Sequence, residues 1–136
     1  MSRSVRLIVI VAAFLAQSPL IGADAPNGQV QKLAKERVEI ETQIHELTRK
    51  AYEQGSASFS ELQESLASLL TARLEVCTTK QERVMVLEEM VKLAEQTKDA
   101  TERLVRAGEA PQYTALKAKS HLLEVRIRLE KEKATQ

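Results

Sequence analysis

The chain has 136 residues, with 20 basic and 19 acidic side chains, one cysteine, no tryptophan and 3% aromatic residues. So balanced a charge gives no electrostatic grip on nucleic acid or on an anionic membrane surface. The scarcity of aromatic rings withholds the stacking platforms that nucleic acid or sugar binding uses, and a chain this short supports one modest core or an elongated bundle.

The chain begins with the pattern of a secretory signal peptide. Arg3 and Arg6 precede the apolar run Leu7 to Ala16, and "QSPLIGADAP" follows with a proline and small residues. The run is too short to span a bilayer, which takes about 20 apolar residues. Cleavage is expected after Ala23, because cutting after Ala25 would put Pro26 beside the scissile bond. A lipid anchor would need a cysteine at the cut, and the only one is Cys77. The expectation is a mature chain in the periplasm or beyond, without a membrane span. Losing Arg3 and Arg6 leaves 18 basic against 19 acidic residues. Residues 24–29 are expected to form a short linker.

A first helix is expected over about 28–54. Val30, Leu33, Arg37, Ile40, Ile44, Leu47 and Ala51 alternate spacings of three and four, the heptad seam of a helix that faces a partner helix. Gly55 follows, and glycine alone takes the left-handed conformation of a helix C-terminal cap without a steric penalty. Ser58 and Glu61 then have the spacing of a capping box, so a second helix is expected over about 59–77. Its seam is Phe59, Leu62, Leu66, Leu69, Arg73 and Val76. The two arms, within 30–77, form a first hairpin zipped by contacts such as Leu47 with Leu66.

No glycine or proline separates Phe59 from Ala107, so one helix of about 49 residues, roughly 73 Å long, is an alternative. The favoured reading breaks it at Thr78 and Thr79, because Thr79 and Glu82 form another capping-box pair. A third helix then covers about 80–107 with the seam Val86, Met90, Leu93, Thr97, Ala100 and Leu104. Val84, Leu87 and Val91 form a second stripe, a candidate surface for a partner protein. Gly108 ends this helix and Pro111 opens a fourth, over about 111–134, with Ala115, Leu122, Arg126 and Leu129 on its seam. This second hairpin, within 78–136, is expected to be held less tightly, since polar residues interrupt its seam.

The two hairpins are related by a repeat of 53 residues: "LLTARLEV" at Leu69 lies over "LLEVRIRL" at Leu122, and Gly55 over Gly108. The fold class is all-α, two antiparallel coiled-coil-like αα-hairpins. With Gly55 at a tip, Arg73 falls beside Ile40 and Glu41, which predicts an Arg73–Glu41 ion pair.

At the turns the residues resemble the periplasmic hairpin tips of TolC-like outer-membrane efflux proteins. "GEAPQYTALKAKSHL" supplies Gly108, Leu116, Ala118 and Leu122 in that family's register, and "GSASFSELQESLASL" supplies Gly55, Leu62 and Leu69. The family's acidic tip position falls on Glu61 and on Thr114, and its membrane β-strands have no counterpart here. The resemblance implies a helical hairpin architecture and an envelope partner.

His45 and His121 stand apart from other candidate metal ligands, and no nucleophile, base and orienter come together, so neither an enzyme nor a cofactor is expected. Cys77 is either a small hydrophobe on a helix face or an intermolecular disulfide partner. The expected function is an exported, non-catalytic hairpin protein acting by protein–protein contact, with itself or an envelope component, and with no nucleic acid or small-molecule substrate. The alternative is a small periplasmic bundle that binds or senses a metal or small ligand.

Overall fold

A computed structural model describes residues 24–135, with side chains from residue 27 onward; the signal peptide expected over 1–23 lies outside these residues. Four helices follow one another: α1 (Asp24–Glu53), α2 (Phe59–Val76), α3 (Lys80–Arg106) and α4 (Gln112–Ala134). There is no strand among the described residues.

Each boundary has a local cause. Gly55 and Gly108 both have φ 74°, and each closes a helix by the same pair of backbone bonds. Gly55 N–H donates to the Tyr52 carbonyl and Ser56 N–H to that of Ala51; Gly108 N–H donates to Val105 and Glu109 N–H to Leu104. At the start of α2 the Ser58 hydroxyl accepts from Glu61 N–H while the Glu61 carboxylate accepts from Ser58 N–H. Thr79 and Glu82 make the same reciprocal pair at the start of α3. The chain therefore breaks at Thr78–Thr79, and the long continuous helix is not formed. Pro111 stands one residue ahead of its expected place, as the N-cap of α4 at φ −73°. Residues 24–29 are not a linker but the opening turns of α1; Pro26 does not prevent this, because a first-turn proline has no helical N–H bond to lose.

Helices α1 and α2 form one antiparallel hairpin and α3 and α4 another, and α2 packs antiparallel on α3. Among the described residues no other pair of helices brings its backbones within 8 Å. The result is an open row of helices with α1 and α4 as its two edges, not a closed bundle. Both hairpin tips lie at one pole. The Thr78–Thr79 join lies at the other, where the Lys80 ammonium donates to the carbonyl of Lys133 at 2.8 Å and to that of Thr135.

The core runs along the inner helices. Leu70 of α2 and Leu87 of α3 are each 1% exposed, and Leu87 packs with Leu74 and Leu129, joining α2, α3 and α4 in one cluster. Along α4 the buried positions are Ala115, Leu122, Val125 and Leu129, spaced as a heptad seam. Arg126, expected on that seam, is instead exposed beside Val125.

The expectation of a looser second hairpin is reversed. Helices α3 and α4 bury seven side chains between them and α1 and α2 five, all five of them on α2, with none among the described side chains of α1. The half-buried face of α1 is Ala34, Val38, Glu41, Thr42, His45 and Thr48, about one residue round from the predicted seam. Small and polar contacts hold it, including His45 Nδ1 to Ser65 Oγ at 2.9 Å and an Arg37–Glu75 ion pair at 2.8 Å. Leu47 is 66% exposed, so it does not zip against Leu66.

The capping boxes make stability depend on pH. Backbone N–H donors at Ser58, and at Thr79 and Thr78, hold the Glu61 and Glu82 carboxyls below the usual carboxylate range. A lowered native pKa contributes stability that is complete above the unfolded value and is lost as pH falls through the native one. Thermal midpoints between about pH 5 and pH 2 should therefore fall less steeply in a Glu61→Gln, Glu82→Gln double variant than in the parent chain. Equal slopes would mean that these carboxylates do not hold the helix starts.

Candidate functional site: the edge-helix surfaces

The most distinctive surfaces are on the two edge helices. On α1, Val30, Leu33, Ile40, Ile44 and Leu47 are between 45% and 66% exposed. They are the larger apolar residues of the heptad spacing, and the fold leaves them on the outer side of α1, Ile44 and Leu47 at the rim of an open groove beside α2. On α4, Tyr113, Leu116, Leu123 and Ile127 are between 49% and 60% exposed, also at heptad spacing. A long apolar row on a helix edge is the usual mark of a contact surface, whereas isolated exposed hydrophobes need no explanation. The α4 stripe was not singled out from sequence; its signal is the spacing of three and four that continues from Tyr113 through Leu116, Ser120, Leu123 and Ile127.

The stripe Val84, Leu87 and Val91 is not a free partner surface. Leu87 is buried, and Val84 and Val91 pack against its cluster with Leu74 and Leu129. Two stripes on α3 do mean two neighbours, and both neighbours belong to the same chain.

Arg73 does not pair with Glu41. Its guanidinium meets Glu89 of α3 at 3.5 Å, because α3 approaches α2 on the side that carries Arg73. Glu41 is half-buried on the α2-facing side of α1. The corresponding residue of α4, Arg126, donates to Glu95 of α3 at 2.6 Å. Arg83–Glu132 at 2.7 Å and Lys133–Glu88 at 3.2 Å add further bridges between α3 and α4. The side chains of Arg73 and Arg126 are about half exposed, so each pair adds little stability and mainly sets register.

Cys77 is a free, half-buried thiol at the C-terminal end of α2, and its Sγ donates to the Arg73 carbonyl at 3.2 Å. Burial raises its pKa, and the Glu82 charge adds to this. A raised pKa lowers the thiolate fraction, which slows oxidation and disulfide exchange.

The histidines lie on different edges. His45 bonds Ser65, and His121 lies 3.7 Å from Glu124. Among the described residues no group of three or more histidine, cysteine, aspartate or glutamate side chains is placed to hold a metal. His121 also borders a groove of about 220 Å³ between α2 and α3, lined by Gln63, Ala67, Met90, Leu93 and Thr97 among others. There the Gln63 Nε2 is buried without a hydrogen-bond partner. No helix among the described residues is long and apolar enough to cross a membrane.

The fold and these surfaces define an all-helical protein of two hairpins in an open row with apolar edges. No protein-family model matches the chain, and no curated protein or solved structure matches it.

Proposed function

We propose that this is an exported, non-catalytic helical hairpin protein that works by helix-to-helix contact with other proteins. The observation that carries the reading is the exposed heptad row on α1, Val30 through Leu47, on a helix that packs along one neighbour, α2, among the described residues. A row of that length and spacing is suited to covering by another helix, and leaving it in water is unfavourable by roughly 25 cal/mol per Å² of apolar surface. The signal-peptide pattern of residues 1–23 supports export. The turn pattern shared with TolC-like hairpins supports a place in the cell envelope, and the 53-residue repeat supports one hairpin design used twice.

A photo-cross-linking amino acid at Ile44 or Leu123, incorporated into the chain in cells, should form adducts with protein, identified by mass spectrometry. The same probe at exposed polar positions Gln43 and Arg128 should form few. Equal yields at all four positions, or none at the stripe positions, would sink the reading.

A further inference from the structure

Neither edge stripe has a neighbour in this fold, yet each has a counterpart that does. Against α2, helix α3 presents Met90, Leu93 and Thr97. Counting back 53 residues from these gives Arg37, Ile40 and Ile44; Ile40 and Ile44 belong to the open stripe of α1, and Arg37 at its margin is turned to Glu75 of α2. Helix α2 presents Gln63, Ala67 and Leu74 towards α3, with the fully buried Leu70 between them at the same heptad spacing. Counting forward 53 residues gives Leu116, Ser120, Leu123 and Ile127, on the open stripe of α4. The edges thus carry the two halves of the interface that already joins the hairpins inside the chain.

We infer that α4 of one copy packs onto α1 of a second copy, in the register in which α2 packs onto α3. The inference rests on the reading of the edge helices as contact surfaces and names what covers them.

Two further observations favour a second copy. The first is charge. Arg73 of α2 meets Glu89 of α3 across the internal interface, and the same offset puts Arg126 on α4 and Glu36 on α1. A basic group on one edge thus finds an acidic group at the matching place on the other. Arg126 already holds Glu95, but its side chain is 51% exposed and a guanidinium has five N–H donors, enough for two carboxylates.

The second is shape. Ile44, Leu47, Thr48, Glu64 and Ser68 line an open groove between α1 and α2. The equivalent place in the second hairpin is occupied by α2: Thr97 and His121 border Ser60, Gln63 and Ala67 there, and they lie 53 residues on from Ile44 and Ser68. An arriving α4 fills in the first hairpin the seat that α2 fills in the second. Its Leu116 reaches Ile44 and its Ile127 reaches Leu33, both apolar layers. Within one chain α2 and α3 separate the edges, and α1 and α4 make no contact.

Such a contact joins unlike edges. Each added copy offers a fresh α1 or α4 edge, so the contact extends to a row or closes to a ring.

The test places cysteines at Ile44 and Leu116 in a Cys77→Ser background, followed by mild oxidation of the purified chain. The double variant should give a ladder of disulfide-linked multimers, and each single variant only background. Adding Leu33→Glu, at an exposed position outside the core, should abolish the ladder, with a circular-dichroism melt showing that the fold is kept. A dimer from the Ile44→Cys single variant would mean that like edges pair, and an internal disulfide within a monomer would mean that the chain closes on itself; either overturns the inference. So would free thiols on a monomeric chain. In that last case photo-adducts from Ile44 to a different protein would leave the proposed function standing, and their absence would remove both.

Discussion

Replacing Leu87 with alanine is expected to lower the unfolding free energy by about 3 kcal/mol, within the range for large-to-small changes at fully buried sites. Leu87 is 1% exposed and packs against Leu74 of α2 and Leu129 of α4. Its loss opens a cavity where the two hairpins join, and helices fixed on both sides cannot collapse to fill it. The contrast is with Ile44, which has a similar volume but is 45% exposed. Ile44→Ala should change stability by no more than about 0.5 kcal/mol in dilute solution. Urea unfolding of the two variants, at a concentration low enough to keep the chain monomeric, measures both. A larger loss for Ile44 would mean that the edge stripe of α1 is covered within the chain.

The second large effect is expected at the tips. Gly55→Ala and Gly108→Ala should each cost about 1–2 kcal/mol, the penalty for forcing an L side chain into the left-handed region. Both residues have φ 74°, and an added Cβ at either would meet nothing within 4 Å. The whole cost is therefore backbone strain, with no steric clash added. Asparagine adopts this conformation more readily than alanine, so Gly→Asn at either position should recover part of the loss. Equal losses for alanine and asparagine would point to some other cause than the backbone angle.

How far the sequence discloses the fold depends on whether its signals are local. Gly55 and Gly108 mark the tips, and Ser58 with Glu61 and Thr79 with Glu82 mark two helix starts, because each of these devices acts within a few residues. The choice between a break and a continuous rod at Thr78–Thr79 follows from the same capping chemistry. Which apolar stripe faces inward is not a local matter. On α1 the row from Val30 to Leu47 is the more hydrophobic, and reading it as the seam toward α2 follows the usual logic of burial. Yet α2 meets α1 through Ser65 opposite His45 and Glu75 opposite Arg37, and the apolar row is left outside. Heptad spacing tells that a helix has a partner but not whose helix it is. The same ambiguity, with opposite sign, made Val84, Leu87 and Val91 look like a surface when they are core. Arg73 illustrates a third limit: its layer along α2 could be counted from the tip, but its partner Glu89 comes from α3, whose approach depends on the whole α2–α3 packing.

The shared pole of the two tips gives the molecule a polarity. Tyr52 and Phe59, with ring centroids 6.2 Å apart, flank the first tip, and Tyr113 stands just beyond the second. Ala134 lies at the opposite pole, where Lys80 meets the carbonyls of Lys133 and Thr135, and α1, level with the end of α2 at the Arg37–Glu75 pair, runs on past the Thr78–Thr79 join to Asp24. Whatever is attached at either place, a reporter domain or a solid support, would hang like a handle and hold the two prongs of a fork outward, free to touch whatever lies ahead.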